Sequence, residues 1–189
     1  QKDENKVYFT DIDSVEWAKE AINYLAENKC IEGDGNGNFR PNDLVTRAEF
    51  VKMIIEGTKL EHLAGQGSAF TDVSDGAWYK PYVDRVVKAG IVNGVTDTEF
   101  MPNQPIKRAD VAVISIRVMK YFGFDFTMDN IVYSDVTENY AYESIYQAAN
   151  AGIMTGIGDN KFEPERGLTR AEAAKVIYEI SKSKGDFIK

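Results

Sequence analysis

Three arginines in this chain stand where a helix favours an acid. The chain reads Val45-Thr46-Arg47-Ala48-Glu49, then Ile106-Lys107-Arg108-Ala109-Asp110, then Leu168-Thr169-Arg170-Ala171-Glu172, with the arginines 61 and 62 residues apart. Thr followed three residues later by Glu, just ahead of an apolar run, is a capping box: the hydroxyl accepts from the N3 backbone N–H and the carboxylate reaches back to the N-cap N–H. Thr46 with Glu49 and Thr169 with Glu172 fit that pattern, and Asp110 is the equivalent acid of the middle copy, so these five residues read as structural caps. Each arginine then falls at the first helical position, where the helix carries partial positive charge and unpaired N–H groups. The chemistry open to such a group is anion capture. A guanidinium grips a carboxylate through two parallel hydrogen bonds, and free helix N–H groups favour the same charge. The anion is either internal (Asp11, Asp72, Asp135 or a capping acid) or a ligand. Lys107, in the place of a capping Thr, is either a second cation for the middle copy or merely solvated.

The elements that position these arginines repeat with them. The copies open on Phe9-Thr10-Asp11, Phe70-Thr71-Asp72 and Tyr133-Ser134-Asp135. Trp17, Trp78 and Tyr140 follow near the start of a first helix, and the interval from each to Cys30, Ile91 and Ile153 is 13 residues. Then come Gly33, Gly94 and Gly156, followed by Phe39, Phe100 and Phe162, and by Pro41, Pro102 and Pro164, with the arginine six residues after each proline. Matching spacing at so many positions marks internal repetition. The glycines read first as permitting turn conformations and second as letting a ligand approach the backbone. The aromatics read as core side chains, or as ring faces at a groove edge on which a sugar can stack.

Periodicity predicts first helices over about 14–28, 77–89 and 139–151, with Asp13, Ser74 or Asp75, and Thr137 or Asn139 as N-caps. Second helices are expected over about 46–60, 107–121 and 169–183. The middle second helix is apolar on more than one face, as in a helix surrounded by others. A two-helix repeat cannot bury both its faces, and the period exceeds the roughly 34–47 residues of common two-helix solenoids. The fold class is therefore all-α with minor short extended segments: three two-helix repeats closed into a pseudo-threefold around a central three-helix bundle. The boundaries are a lead at 1–8 and repeats at 9–60, 70–122 and 133–183, together one cooperative domain. The linker 61–69 is expected to be mobile and 122–132 to be packed down.

Composition narrows the function. A net charge of −8 over 189 residues argues against general nucleic-acid binding, which needs a basic face. No apolar run approaches the roughly 20 residues that span a bilayer. The polar opening Gln1-Lys2-Asp3-Glu4-Asn5-Lys6 does not read as a signal peptide, and this leaves the compartment open. Cys30 is the single cysteine, so no internal disulfide forms, and it reads as a small core residue. His62 is alone in a linker. Asp34-Gly35-Asn36-Gly37-Asn38 resembles the start of a calcium loop but has Phe39 at its sixth position and Val45 at its twelfth, so it reads as a turn. Neither a metal, a cofactor nor a nucleophile with a His base is indicated.

Phe-Thr-Asp, Trp17-Ala18, the Gly…Phe-x-Pro stretch and Thr-Arg-Ala-Glu, in tandem over residues 9–183, resemble the S-layer homology (SLH) family. The resemblance implies a pseudo-trimeric fold with three grooves between three prongs. It also implies a non-catalytic, extracellular module of a larger protein, attached at the cell wall or S-layer to a secondary cell-wall polysaccharide of Gram-positive-type envelopes, often bearing ketal-linked pyruvate on N-acetylmannosamine. In the family the Arg of Thr-Arg-Ala-Glu lines the groove, which implies ligand binding by Arg47, Arg108 and Arg170. Lys107, Trp17, Trp78, Tyr140, Gly33, Gly94 and Gly156 complete the expected binding set. This sequence departs from the pattern at Lys107, Asp110 and Tyr140, and repeat three is one residue shorter before its aromatic. The competing readings are a protein-interaction scaffold using the grooves and a glycoside hydrolase, against which stands the prior use of the repeated acids as caps.

Overall fold

The computed structural model describes residues 8–65, 67–128, 133–137 and 140–187. Among them are six α-helices: α1 (Glu16–Glu27), α2 (Arg47–Thr58), α3 (Lys80–Lys88), α4 (Arg108–Tyr121), α5 (Tyr142–Asn150) and α6 (Arg170–Phe187), with a 3-10 turn Ile12–Val15 leading into α1. No strand longer than an isolated bridge occurs among these residues. The chain is thus all-α and built of three helix pairs, as the repeat predicts.

The second helices start where the signature places them. Thr46 accepts from the Glu49 N–H while Glu49 accepts from the Thr46 N–H at 2.8 Å, and Thr169 and Glu172 exchange the same two bonds. At α4 the cap is missing: Lys107 has no hydroxyl, and no side chain bonds the first turn. Asp110, expected as a cap, is a methylene shorter than Glu and turns its carboxylate elsewhere. The side-chain caps expected for the first helices also do not form. α1, α3 and α5 begin after Val15, Tyr79 and Ala141 without one. α1 is entered through its 3-10 turn, α3 has Pro81 in its first turn, where the absent N–H removes an orphan donor, and Asp13 pairs with Lys19 at 2.7 Å. Asn139 lies outside the described residues.

Closure occurs around one ring of backbone. Val45 donates to the Leu168 carbonyl, Leu168 to Ile106 and Ile106 back to Val45, each at 2.9 Å. The three segments just ahead of α2, α4 and α6 therefore meet at a pseudo-threefold axis. The first helix of each repeat packs against the second helix of the repeat before it: α3 on α2, α5 on α4 and α1 on α6. Ala48, Ala109 and Ala171 are buried beside the ring. One continuous core runs through all three repeats, from Ile22 and Leu25 through Val83 and Val86 to Ile145 and Ile177.

The linker 61–69 is largely exposed among its described residues, with Leu63 packed on the core. Ser68 donates through its N–H and hydroxyl to Asp84, and Leu60, just ahead of the linker, is buried. In the second linker Phe122, Phe124 and Phe126 pack on the core, whereas Met128 is exposed. Cys30 is buried, as expected.

Candidate functional site

Each signature arginine reaches out of its own repeat into the next. Arg47 donates through Nε to the Phe100 carbonyl at 2.8 Å and through Nη2 to Asn93 at 3.2 Å. Arg108 does the same to Phe162 and Thr155, both at 2.8 Å, and Arg170 to Phe39 and Glu32, both at 2.8 Å. The guanidinium carbons lie 4.9, 4.5 and 4.6 Å from the centroids of the Phe100, Phe162 and Phe39 rings. These cation–π contacts and charge-assisted bonds make each arginine a staple between neighbouring repeats.

The third guanidinium nitrogen separates the three copies. Arg47 Nη1 bonds Asp110 at 2.9 Å, and the phenol of Tyr140 donates to the other oxygen of the same carboxylate. Arg108 Nη1 lies 3.5 Å from Glu172, which Arg166 also grips through Nη1 and Nη2 at 3.1 and 2.6 Å. Arg170 Nη1 hydrogen-bonds nothing among the described residues; Glu49 acts on it only through its charge. Burial lowers the basicity of all three arginines, and the neighbouring acids oppose that shift. All three stay charged at neutral pH.

The helix N–H groups expected to help an anion are already taken. The N–H groups of Arg47 and Ala48 donate to Gln104 and Pro102, those of Arg108 and Ala109 to Arg166 and Pro164, and those of Arg170 and Ala171 to Asp43 and Pro41, all at 2.9–3.0 Å. A ligand there would have to displace carbonyls of the closing ring. Asp11, Asp72 and Asp135 do not pair with the arginines either. Each accepts two backbone N–H groups, those of Phe39 and Arg40, Phe100 and Met101, and Phe162 and Glu163. Arg40, Met101 and Glu163 sit at left-handed φ of 61°, 57° and 56°, and the carboxylate holds this uncommon backbone in place.

Gly33, Gly94 and Gly156 are needed for space rather than for turn conformation, since none lies at positive φ. A Cβ on them would come within 2.3–2.6 Å of the Phe9, Phe70 and Tyr133 rings and of a nearby carbonyl. Trp17, Trp78 and Tyr140 are surface residues, not core, with relative exposures of 55%, 55% and 66%.

Among the described residues two open grooves form at these arginines, each assembled from three repeats. The first has a volume of about 480 Å³; its floor is repeat one (Glu32, Gly33, Glu49, Lys52), Arg170 enters from repeat three and Trp78 from repeat two. The second, about 510 Å³, has Gly94, Lys107, Asp110 and Arg117 of repeat two, Arg47 from repeat one and Tyr140 from repeat three. At the corresponding place in repeat three, Arg166 fills in, bonded to Glu172, Glu163 and the Gly167 carbonyl. Trp17 occupies the matching position on α1. Sequence reasoning missed Arg117 and Arg166. The signal was an unlike residue at an aligned position: Arg117 stands where the other copies have Glu56 and Glu179, and Arg166 where they have Asp43 and Gln104. Among the described residues no helix is long and apolar enough to cross a membrane, and no group of three or more His, Cys, Asp or Glu is placed to hold a metal ion.

A family model, the S-layer homology domain, matches residues 8–51, 69–112 and 132–174. An amylopullulanase from Thermoanaerobacterium thermosulfurigenes is 33% identical over 90% of this chain, and exoglucanase XynX from Acetivibrio thermocellus 33% over 91%. The S-layer protein sap of Bacillus anthracis is 32% identical over 94%. The chain spans 9%, 16% and 22% of the lengths of these three relatives, so it corresponds to one region of much longer proteins. With three matches covering most of its length, and the ring, staples and grooves recurring at the same spacing, the chain belongs to the S-layer homology domain family, whose members hold S-layer proteins and enzymes at the extracellular face of the cell wall.

Proposed function

We propose that this chain is the non-catalytic anchor of a larger surface protein and that it binds an anionic secondary cell-wall polysaccharide, one bearing pyruvyl substituents. The observation that carries this reading is the construction of the grooves. Each brings a guanidinium, a glycine backbone and an exposed aromatic from three repeats to one opening. A sugar polymer with acidic substituents needs such a mixture: a ring face to stack on, N–H donors for its hydroxyls, and a charged donor for its oxygens. The first partner is therefore the polymer, with Arg47, Arg170, Trp78, Tyr140, Gly33 and Gly94 in contact with it. Arg108 lies where Arg166 fills in against Glu172 and Glu163, and it acts mainly in the staple. The longer relatives, an amylopullulanase, an exoglucanase and an S-layer protein, support a role as an attached module rather than as a catalyst.

The test is binding of immobilised wall polymer by Arg47→Ala, Arg170→Ala and the double variant, each with its melting curve. One loss is partly hidden by the second groove acting on the same chain, and the double loss is not. The expected penalty is about 1.5–3 kcal/mol per site. Each variant also melts lower, because the staple goes with the arginine. Double-variant binding equal to the parent below its melting range would remove the arginines from the ligand site.

A further inference from the structure

The two open grooves differ in charge. Around the first, the cations Arg40, Lys52 and Arg170 face four carboxylates, Glu32, Asp34, Asp43 and Glu49. Arg40 pairs with Asp43 and Lys52 lies 3.6 Å from Glu32, so two of the three cations are neutralised locally and the third lies beside Glu49. Around the second, Arg47, Lys107 and Arg117 face Asp110, with Glu165 beside Lys107. Arg47 and Tyr140 already occupy that carboxylate. Lys107, half-exposed, reaches Glu165 at 2.6 Å. Among the described residues Arg117 pairs with no carboxylate and makes one hydrogen bond, from Nη1 to the Ile91 carbonyl at 3.4 Å.

The aligned positions show how this arose. Lys52 and Lys175 are matched in repeat two by Val113, and Glu56 and Glu179 by Arg117. The cation has moved four residues along the helix, about 6 Å, and an apolar side chain stands in its old place. Lys175 in repeat three is neutralised by Glu179 at 2.6 Å, a partner that Arg117 replaces in repeat two. Among the described residues the second groove therefore sets a guanidinium with no carboxylate partner beside Val113 and Ile114. A ketal of pyruvate carries a carboxylate and a methyl on one carbon and needs that combination: a cation for the one and an apolar wall for the other. A neutral sugar hydroxyl both donates and accepts. It is matched by the first groove, where the Arg170 guanidinium lies near the Glu49 carboxylate and Trp78 lines the same opening.

Resting on the anchoring reading above, we infer that the two grooves divide the polymer between them: the groove on repeat two takes the acidic ketal on Arg117, with Lys107, and the groove on repeat one takes a neutral ring. The test is amide NMR of the whole chain with two probes, N-acetylmannosamine carrying a pyruvate ketal and the same sugar without it. The ketal probe shifts the Gly94 amide, and Arg117→Gln weakens it about tenfold while leaving the melting temperature near that of the parent. The neutral sugar shifts Gly33 and is indifferent to Arg117→Gln. Ketal binding at Gly94 that Arg117→Gln leaves unchanged overturns this assignment alone, as does a ketal probe that shifts Gly33 in preference to Gly94. A ketal probe that binds neither groove overturns the anchoring reading and this assignment with it.

Discussion

At the scale of single residues, charge is shared between holding the ring and facing the grooves. Glu172 shows the division most sharply. It caps α6 through Thr169 and grips Arg166, with Arg108 beside it. Burial pushes its carboxyl upward, but Arg166, the Thr169 N–H and Arg108 together hold it below the ordinary value of 4.5. A carboxylate with a depressed folded value adds stability that is complete above its unfolded value and is lost as pH falls through the folded one. Melting temperature should therefore fall as pH drops from about 4.5 towards 3. Glu172→Gln should melt lower than the parent at pH 7 and show a smaller difference between pH 7 and pH 3. Melts of both proteins at the two pH values check this, and an unchanged difference would show that Glu172 is not a source of the acid sensitivity. The position of the arginines at the head of the second helices was legible in the sequence, because the capping box is local. Their partners were not. The carbonyls of Phe39, Phe100 and Phe162 belong to other repeats, and no spacing within one copy reveals them.

At the scale of elements, α2 and α6 carry complete capping boxes and α4 has none. Lys107 contributes instead an exposed pair with Glu165, of the kind that contributes about 0–1 kcal/mol. A Thr at that position would restore an acceptor for the Asp110 N–H, typically about 1 kcal/mol. Lys107→Thr should raise the melting temperature by roughly 2 °C and weaken acidic-ligand binding at the second groove alone. Thermal melts and binding measured side by side check it; a melting temperature at or below the parent's would mean that the Glu165 pair outweighs the cap. The second helices matched expectation closely because an apolar run follows each signature, with complete caps on α2 and α6. The caps of the first helices did not, since a 3-10 turn and Pro81 supply the entry that side chains were expected to supply. Trp17, Trp78 and Tyr140 are equally instructive. A large aromatic near a helix start suggests core, but each first helix packs on the preceding repeat, and this turns the rings outward. That choice of partner is a property of ring closure, which the pattern within one helix does not encode.

At the scale of the whole molecule, three copies of a two-helix unit share one core closed by three backbone bonds of 2.9 Å. The closure that creates the staples also creates the grooves, since every groove needs an arginine from one repeat and an aromatic from another. The threefold architecture was legible because the spacing is nearly regular. The inequivalence of the grooves was less so, since it lies in single substitutions such as Arg117 and Arg166 against an otherwise regular background. A protein of net charge −8 thus presents one locally cationic groove, and recognition of an anionic polymer by that groove is the centre of this account. The most direct measurement is an equilibrium titration of the intact chain with purified wall polymer, before and after its acidic substituents are removed, with polymer length followed throughout. The account predicts that the intact polymer binds and is not shortened, that affinity falls with rising salt, and that stripping the acid weakens binding at least about tenfold. Equal binding of the stripped polymer, or its shortening by the protein, would contradict it.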